Sequence, residues 1–211
     1  MVLPKIDGVA FDAYLTFNGS LCYDRKGVIF SNPIPHKDVV RFIQNAAALG
    51  RPVCVSTRGR LAANGTDTDL TDYFFIANEP VPVADDFDAV CAEDIYQLML
   101  GCRPKDYPAL LDGAPGAKIA AWWDRAVDVI PAGGGKGIGI EKMLAYYGLD
   151  KAEALAFGDG NNDLEMFGAV GTGVAMANGS DALKAAATDI CGACAEDGIY
   201  HYCVEHGLIE A

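Results

Sequence analysis

Four short apolar runs, separated by stretches with helical spacing, restrict this chain to few architectures. Residues 6–11, 53–56, 127–130 and 154–157 read as buried strands. Residues 37–49 place Val39, Val40, Phe42, Ile43 and Ala46 on a helical period, and Gly50 supplies a stop. A second helix is expected over 137–147 with Gly148 as its stop, and a third over 181–187 with Ser180 as N-cap. Strands alternating with helices predict an α/β fold: a Rossmann-type parallel sheet flanked by helices. Residues 79–132 interrupt the alternation. Proline and aspartate are frequent up to Asp88, a helix is expected over 92–100, and a strand over 117–123. The expected organisation is therefore a core in two parts, 1–78 and 133–211, with a small α/β lobe inserted at 79–132.

Composition narrows the partners. No apolar run among the 211 residues approaches membrane-spanning length, although 51% of them are hydrophobic. A net charge of -13 argues against nucleic acid and anionic membrane as partners, because both carry phosphate that such a surface repels. The start, Met1-Val2-Leu3-Pro4-Lys5, lacks the charged and apolar stretches of a leader, and seven cysteines then read as reduced thiols, so a cytoplasmic location is expected. Cys54 sits in an apolar run and reads as core. Cys191 and Cys194, with His201 and Cys203 downstream, could be read as a zinc site. Their loose spacing and the lack of a second paired motif favour ordinary loop and helix cysteines.

The chemistry-bearing residues stand at the ends of the apolar runs. Asp12 closes the first, in Phe11-Asp12-Ala13-Tyr14-Leu15-Thr16-Phe17, where a carboxylate can serve as nucleophile or metal ligand. The last run leads into Gly158-Asp159-Gly160-Asn161-Asn162-Asp163, a turn that presents two carboxylates four residues apart. Grouped with Asp12 they would repel one another, and a hard cation such as Mg²⁺ relieves that repulsion. Taken alone, Gly-Asp-Gly is an ordinary turn. The run at 53–56 ends in Ser56-Thr57-Arg58-Gly59-Arg60, offering a hydroxyl from Thr57 or Ser56. Lys136 follows three glycines in a loop that does not satisfy the Walker A spacing.

Together these segments resemble the haloacid dehalogenase superfamily, in its Cof-like branch with the cap between the second and third motifs. The resemblance extends through Asp128-Val129-Ile130-Pro131, the segment 173–178, the helix beginning at Asp181, and Glu196-Asp197-Gly198-Ile199. It implies a Mg²⁺-dependent phosphatase of small phosphorylated metabolites, such as sugar phosphates. Asp12 would attack the phosphoryl group. Asp12, the carbonyl of Tyr14, Asp159 and Asp163 would serve the metal, and Thr57, Lys136 and Asn162 would hold the phosphoryl oxygens. The first motif departs from the family at Tyr14, which stands where the acid/base Asp is expected. A phenol donates a hydrogen bond near neutral pH but accepts a proton poorly, and losing a general acid/base costs about 10²–10⁴-fold. The resemblance thus leaves two readings: a slowed phosphatase, or a silent relative that binds metal and a phosphorylated ligand or partner.

Overall fold

A computed structural model of the chain describes residues 11–210. Two compact units divide the chain, Met1–Gly135 and Lys136–Ala211.

The first unit opens with an antiparallel meander of β1 (Ala13–Thr16), β2 (Leu21–Asp24) and β3 (Val28–Ser31). The reversal between β1 and β2 puts Phe17, Asn18 and Gly19 at positive φ. Asparagine tolerates that conformation, and its amide Nδ2 donates at 3.0 Å to both Gln97 Oε1 and Asp128 Oδ2. Next come α1 (His36–Ala48), β4 (Cys54–Ser56), β5 (Leu61–Ala63), α2 (Thr68–Phe75), α3 (Phe87–Val90), β6 (Gln97–Gly101), α4 (Tyr107–Leu110), β7 (Ala117–Ala120) and β8 (Ala126–Pro131). The five later strands form one antiparallel sheet in the order β5-β4-β6-β8-β7. Successive strand residues face opposite sides. Val55, Leu98 and Val129 therefore pack with Val39, Phe42 and Ala46 of α1. Cys54, Ala63 and Met99 pack with Leu70 and Phe74 of α2.

In the second unit, α5 (Lys136–Tyr147) is followed by β9 (Leu155–Gly158), α6 (Leu164–Ala169), β10 (Thr172–Met176), α7 (Asp181–Ala186), β11 (Asp189–Cys191) and α8 (Gly198–Glu205). The three strands form a parallel sheet in the order β11-β10-β9. Val174 and Met176 pack with Tyr202 of α8, and Ala175 packs with Phe167 of α6 and Leu183 of α7. Helices thus cover both faces of a parallel sheet, as expected for the α/β class.

Several expectations change. The strand at 6–11 lies outside the described residues apart from Phe11, which precedes β1. The runs at 53–56 and 127–130 are strands, but of an antiparallel sheet. An apolar run buried on both faces does not encode the direction of its neighbours. The boundary expected between 78 and 79 is crossed by that sheet, since β4 pairs with both β5 and β6. The helix expected over 92–100 is a turn followed by β6, every residue of which is buried. Leu, Met and Gln favour helices, and burial on both faces of a central strand overrides that weak preference. The strand expected over 117–123 ends at Ala120.

Candidate active site

Among the residues singled out from the sequence, those of the second unit converge. Strand β9 ends at Gly158, where an added Cβ would meet Asp163 Cβ at 2.8 Å, so the turn folds tightly back on the strand. A 3-10 turn over Asn161–Asp163 then leads into α6. Asp163 is 5% exposed. Its Oδ2 accepts the backbone N–H groups of Asp159 and Gly160, both at 3.1 Å. Its Oδ1 accepts from Lys136 Nζ, the first residue of α5, at 2.5 Å. A carboxylate this deeply buried needs such partners, and charge-assisted bonds of this kind are among the strong ones. Asn162 turns its Oδ1 back over Gly160, where a Cβ would approach it to 2.5 Å. Asp159 is left exposed at the tip of the turn.

These contacts divide the roles of the two carboxylates. Each oxygen of Asp163 has a protein partner, so it anchors the turn and fixes the ammonium of Lys136, and any part it plays toward a metal would run through Lys136 or water. Asp159 is the carboxylate open to a ligand. Among the described residues, no group of three or more His, Cys, Asp or Glu side chains is placed to hold a metal ion. The donor set fits a cation held by one carboxylate with water and phosphate oxygens completing its shell, as Mg²⁺ is commonly held. It does not fit a metal that needs an all-protein cage. Of the cysteines near His201, Cys191 is buried, Cys194 exposed and Cys203 partly buried.

The three site residues of the first unit have different surroundings. Asp12 is exposed in a bend ahead of β1. Tyr14 lies within β1 opposite Tyr23 and is not in a loop. Its ring stacks on Tyr23 with centroids 5.3 Å apart, and meets the edge of Phe11 at 5.9 Å. Tyr-Leu-Thr is a sequence that favours extended pairing, and here it pairs with β2. Thr57 is 2% exposed, and its hydroxyl closes its own turn. The hydroxyl donates to Arg60 O at 3.2 Å and accepts from Gly59 N at 3.2 Å and Arg60 N at 3.1 Å. That gives the hydroxyl three partners within its own turn, where the resemblance has it facing a phosphoryl oxygen. Ser56, the alternative, is buried inside β4.

Two polar features went unread in the sequence. Asn178 Nδ2 donates to Asp159 Oδ2 at 3.4 Å, and Ser180 Oγ donates to Asn161 Oδ1 at 2.6 Å. The sequence marked Ser180 as an N-cap and 173–178 as part of the resemblance, but not the contacts of either with the β9 turn. In the first unit Tyr73 donates its hydroxyl to Asp128 Oδ1 at 2.6 Å, and Asn18 holds the other oxygen. Burial, and then the charge of Asp128, pushes the Tyr73 hydroxyl well above the usual tyrosine range, so it remains a donor.

Comparison with known proteins places this geometry in a family. The haloacid dehalogenase-like hydrolase family matches residues 1–203. The phosphatase-named protein YkrA of Bacillus subtilis (strain 168) is 30% identical over 211 residues, covering 100% of this chain and 81% of its own. The sugar phosphatase BT4131, of haloacid dehalogenase subclass IIB, superposes with a TM-score of 0.82 at 26% identity, over 94% of this chain and 76% of that one. BT1666 from Bacteroides thetaiotaomicron, from a study of phosphatases of this superfamily, gives 0.84 at 27%, over 96% and 76%. With a match across nearly its whole length, and a parallel sheet that ends in a lysine-anchored aspartate turn, the chain belongs to the haloacid dehalogenase-like hydrolases.

Proposed function

We propose that this protein is a Mg²⁺-dependent phosphatase of small phosphorylated metabolites, with sugar phosphates as the first class to test. The observation that carries this reading is the Lys136–Asp163–Asp159 arrangement. A buried carboxylate holds an ammonium at 2.5 Å and, through two backbone amides, sets the turn that presents Asp159. A fixed ammonium beside an open carboxylate suits a phosphate ester with its cation. The positive charge meets phosphoryl oxygens, and the carboxylate holds the metal. Family membership and the sugar phosphatase BT4131 among similar structures support this substrate class.

In this reading Asp159 would hold Mg²⁺, which when bound neutralises charge on a phosphoryl oxygen. Lys136 and Asn162 bind the phosphoryl oxygens and orient the ester. Asp12 is the nucleophile that the resemblance assigns. In the scheme the resemblance implies, an aspartate oxygen attacks phosphorus, the ester P–O bond breaks, and the alcohol leaves with a proton drawn from solvent. Water then hydrolyses the aspartyl-phosphate, returning the carboxylate and free phosphate. With Tyr14 committed to β1 in place of a mobile acid/base, turnover is slow.

A second reading is favoured by specific contacts: Thr57 spends its hydroxyl on its own turn, and Tyr14 is a paired strand residue. On it, the second unit binds Mg²⁺ and a phosphorylated ligand without turnover. Phosphate release from a panel of esters separates the readings. Release by the native protein that Asp12→Asn abolishes supports the full scheme. Release that survives Asp12→Asn but not Asp159→Asn keeps the phosphatase and removes Asp12 as nucleophile. Calorimetric binding of Mg²⁺ and phosphate without release from any ester supports the silent reading.

A further inference from the structure

Between β10 and α7 the chain runs Ala177-Asn178-Gly179-Ser180, and the last three residues close on the β9 turn. Asn178 Nδ2 donates to Asp159 Oδ2 at 3.4 Å, and Ser180 N donates to Asp159 O at 3.0 Å. Ser180 Oγ reaches Asn161 Oδ1 at 2.6 Å. A Cβ on Gly179 would lie 3.1 Å from Asp159 O and 3.2 Å from its Cα, so the two backbones touch with little room for a side chain. The other end of the Asn178 amide is also held, since its Oδ1 accepts Cys194 N at 3.0 Å. An exposed amide held at neither end rotates freely. Here the oxygen is anchored, so the NH₂ group is aimed. Asp159 is exposed, and packing alone does not choose its rotamer.

We propose that Asn178 is a positioning residue. Held by the Cys194 amide, it fixes Oδ2 of Asp159 and leaves the other carboxylate oxygen for a cation. Ser180 and Gly179 hold the backbone of the same residue. The cation belongs to the phosphatase reading above and the proposal rests on that reading to this extent, whereas the grip on Asp159 exists without metal. Partners that orient a metal-binding carboxylate typically change metal affinity about 10–100-fold when removed.

The test uses two variants and two readouts on the whole chain. Asn178→Asp keeps an acceptor for the Cys194 amide but loses the donor to Asp159; Asn178→Ala loses both. In metal-free protein, the Asp159 side-chain carboxyl ¹³C resonance is expected to move in both variants. Hydrogen exchange of the Cys194 amide is expected to speed up only in Asn178→Ala. Titration with Mg²⁺ is expected to show about tenfold weaker binding for Asn178→Ala than for the native chain. An Asp159 resonance unmoved in both variants overturns the proposal, and so does an unchanged Mg²⁺ affinity in Asn178→Ala. A native chain that binds no Mg²⁺, with the resonance moving as expected, counts against the phosphatase reading and upholds the positioning role.

Discussion

Asp163 shows how one buried residue organises a site from inside. It satisfies two backbone amides and one ammonium, so neither it nor Lys136 can change alone. Lys136→Met leaves a carboxylate at 5% exposure without its counter-charge. The expected cost is about 1–3 kcal/mol of stability, read by urea unfolding, and about a 10²–10³-fold loss of phosphate release. Tyr73→Phe removes the 2.6 Å donor to Asp128 in the other unit. It should cost about 1–3 kcal/mol in the same unfolding experiment without involving the phosphate-binding residues. A loss of activity equal to that of Lys136→Met would contradict this separation. At this scale the sequence drew attention to residues whose chemistry is unusual for their place, such as Lys136 and Asp159. It was illegible where the partner decides. Nothing in the Ser56-Thr57-Arg58 string shows that the threonine hydroxyl will bond its own turn.

Helices α5 and α6 cross where Gly137 leaves no room, since a Cβ there would come within 2.6 Å of Glu165 O. The obstacle is backbone, which cannot swing aside. Gly137→Ala is therefore expected to lower stability by about 1–3 kcal/mol, despite alanine's better helix propensity. A rise in melting temperature would show that the two helices can separate at little cost. Among the elements, α1, α5 and α7 were readable from apolar spacing and caps. Ser180, for example, accepts from Leu183 N as an N-cap. Strand β6 was not readable, because burial on both faces erases the period that separates strand from helix. Nor was the direction of β4 and β8, which depends on their neighbours and not on their own residues. The meander after Asp12 was hidden for a related reason: Tyr14-Leu15-Thr16 pairs as a strand only once β2 is beside it.

At the scale of whole units, charge is arranged very differently from its sum. The chain carries a net -13, yet Asp69 gathers Arg51, Arg103 and Arg125 at 3.0–3.1 Å from three separate parts of the first unit. Hydrogen bonding from Arg103 holds its carboxyl below the ordinary value of 3.8. A lowered pKa means stability that is present above the unfolded value and lost as pH falls through the folded one. The first unit should therefore lose this contribution below about pH 4. Asp69→Asn should flatten that part of the stability–pH curve, at a cost of about 1–3 kcal/mol at pH 7 given the partly exposed arginines. Acid unfolding of the two proteins, followed by circular dichroism, checks it. Among the described residues no helix is long and apolar enough to cross a membrane.

The central claim is that the lysine-anchored aspartate turn of the second unit serves phosphate-ester hydrolysis. The most direct measurement is Mg²⁺-dependent phosphate release from sugar phosphates by the native chain and by Asp159→Asn. The account predicts release by the native protein that requires Mg²⁺ and falls by about 10²-fold or more in Asp159→Asn. Release that is undiminished in Asp159→Asn, or that proceeds equally without Mg²⁺, would contradict it.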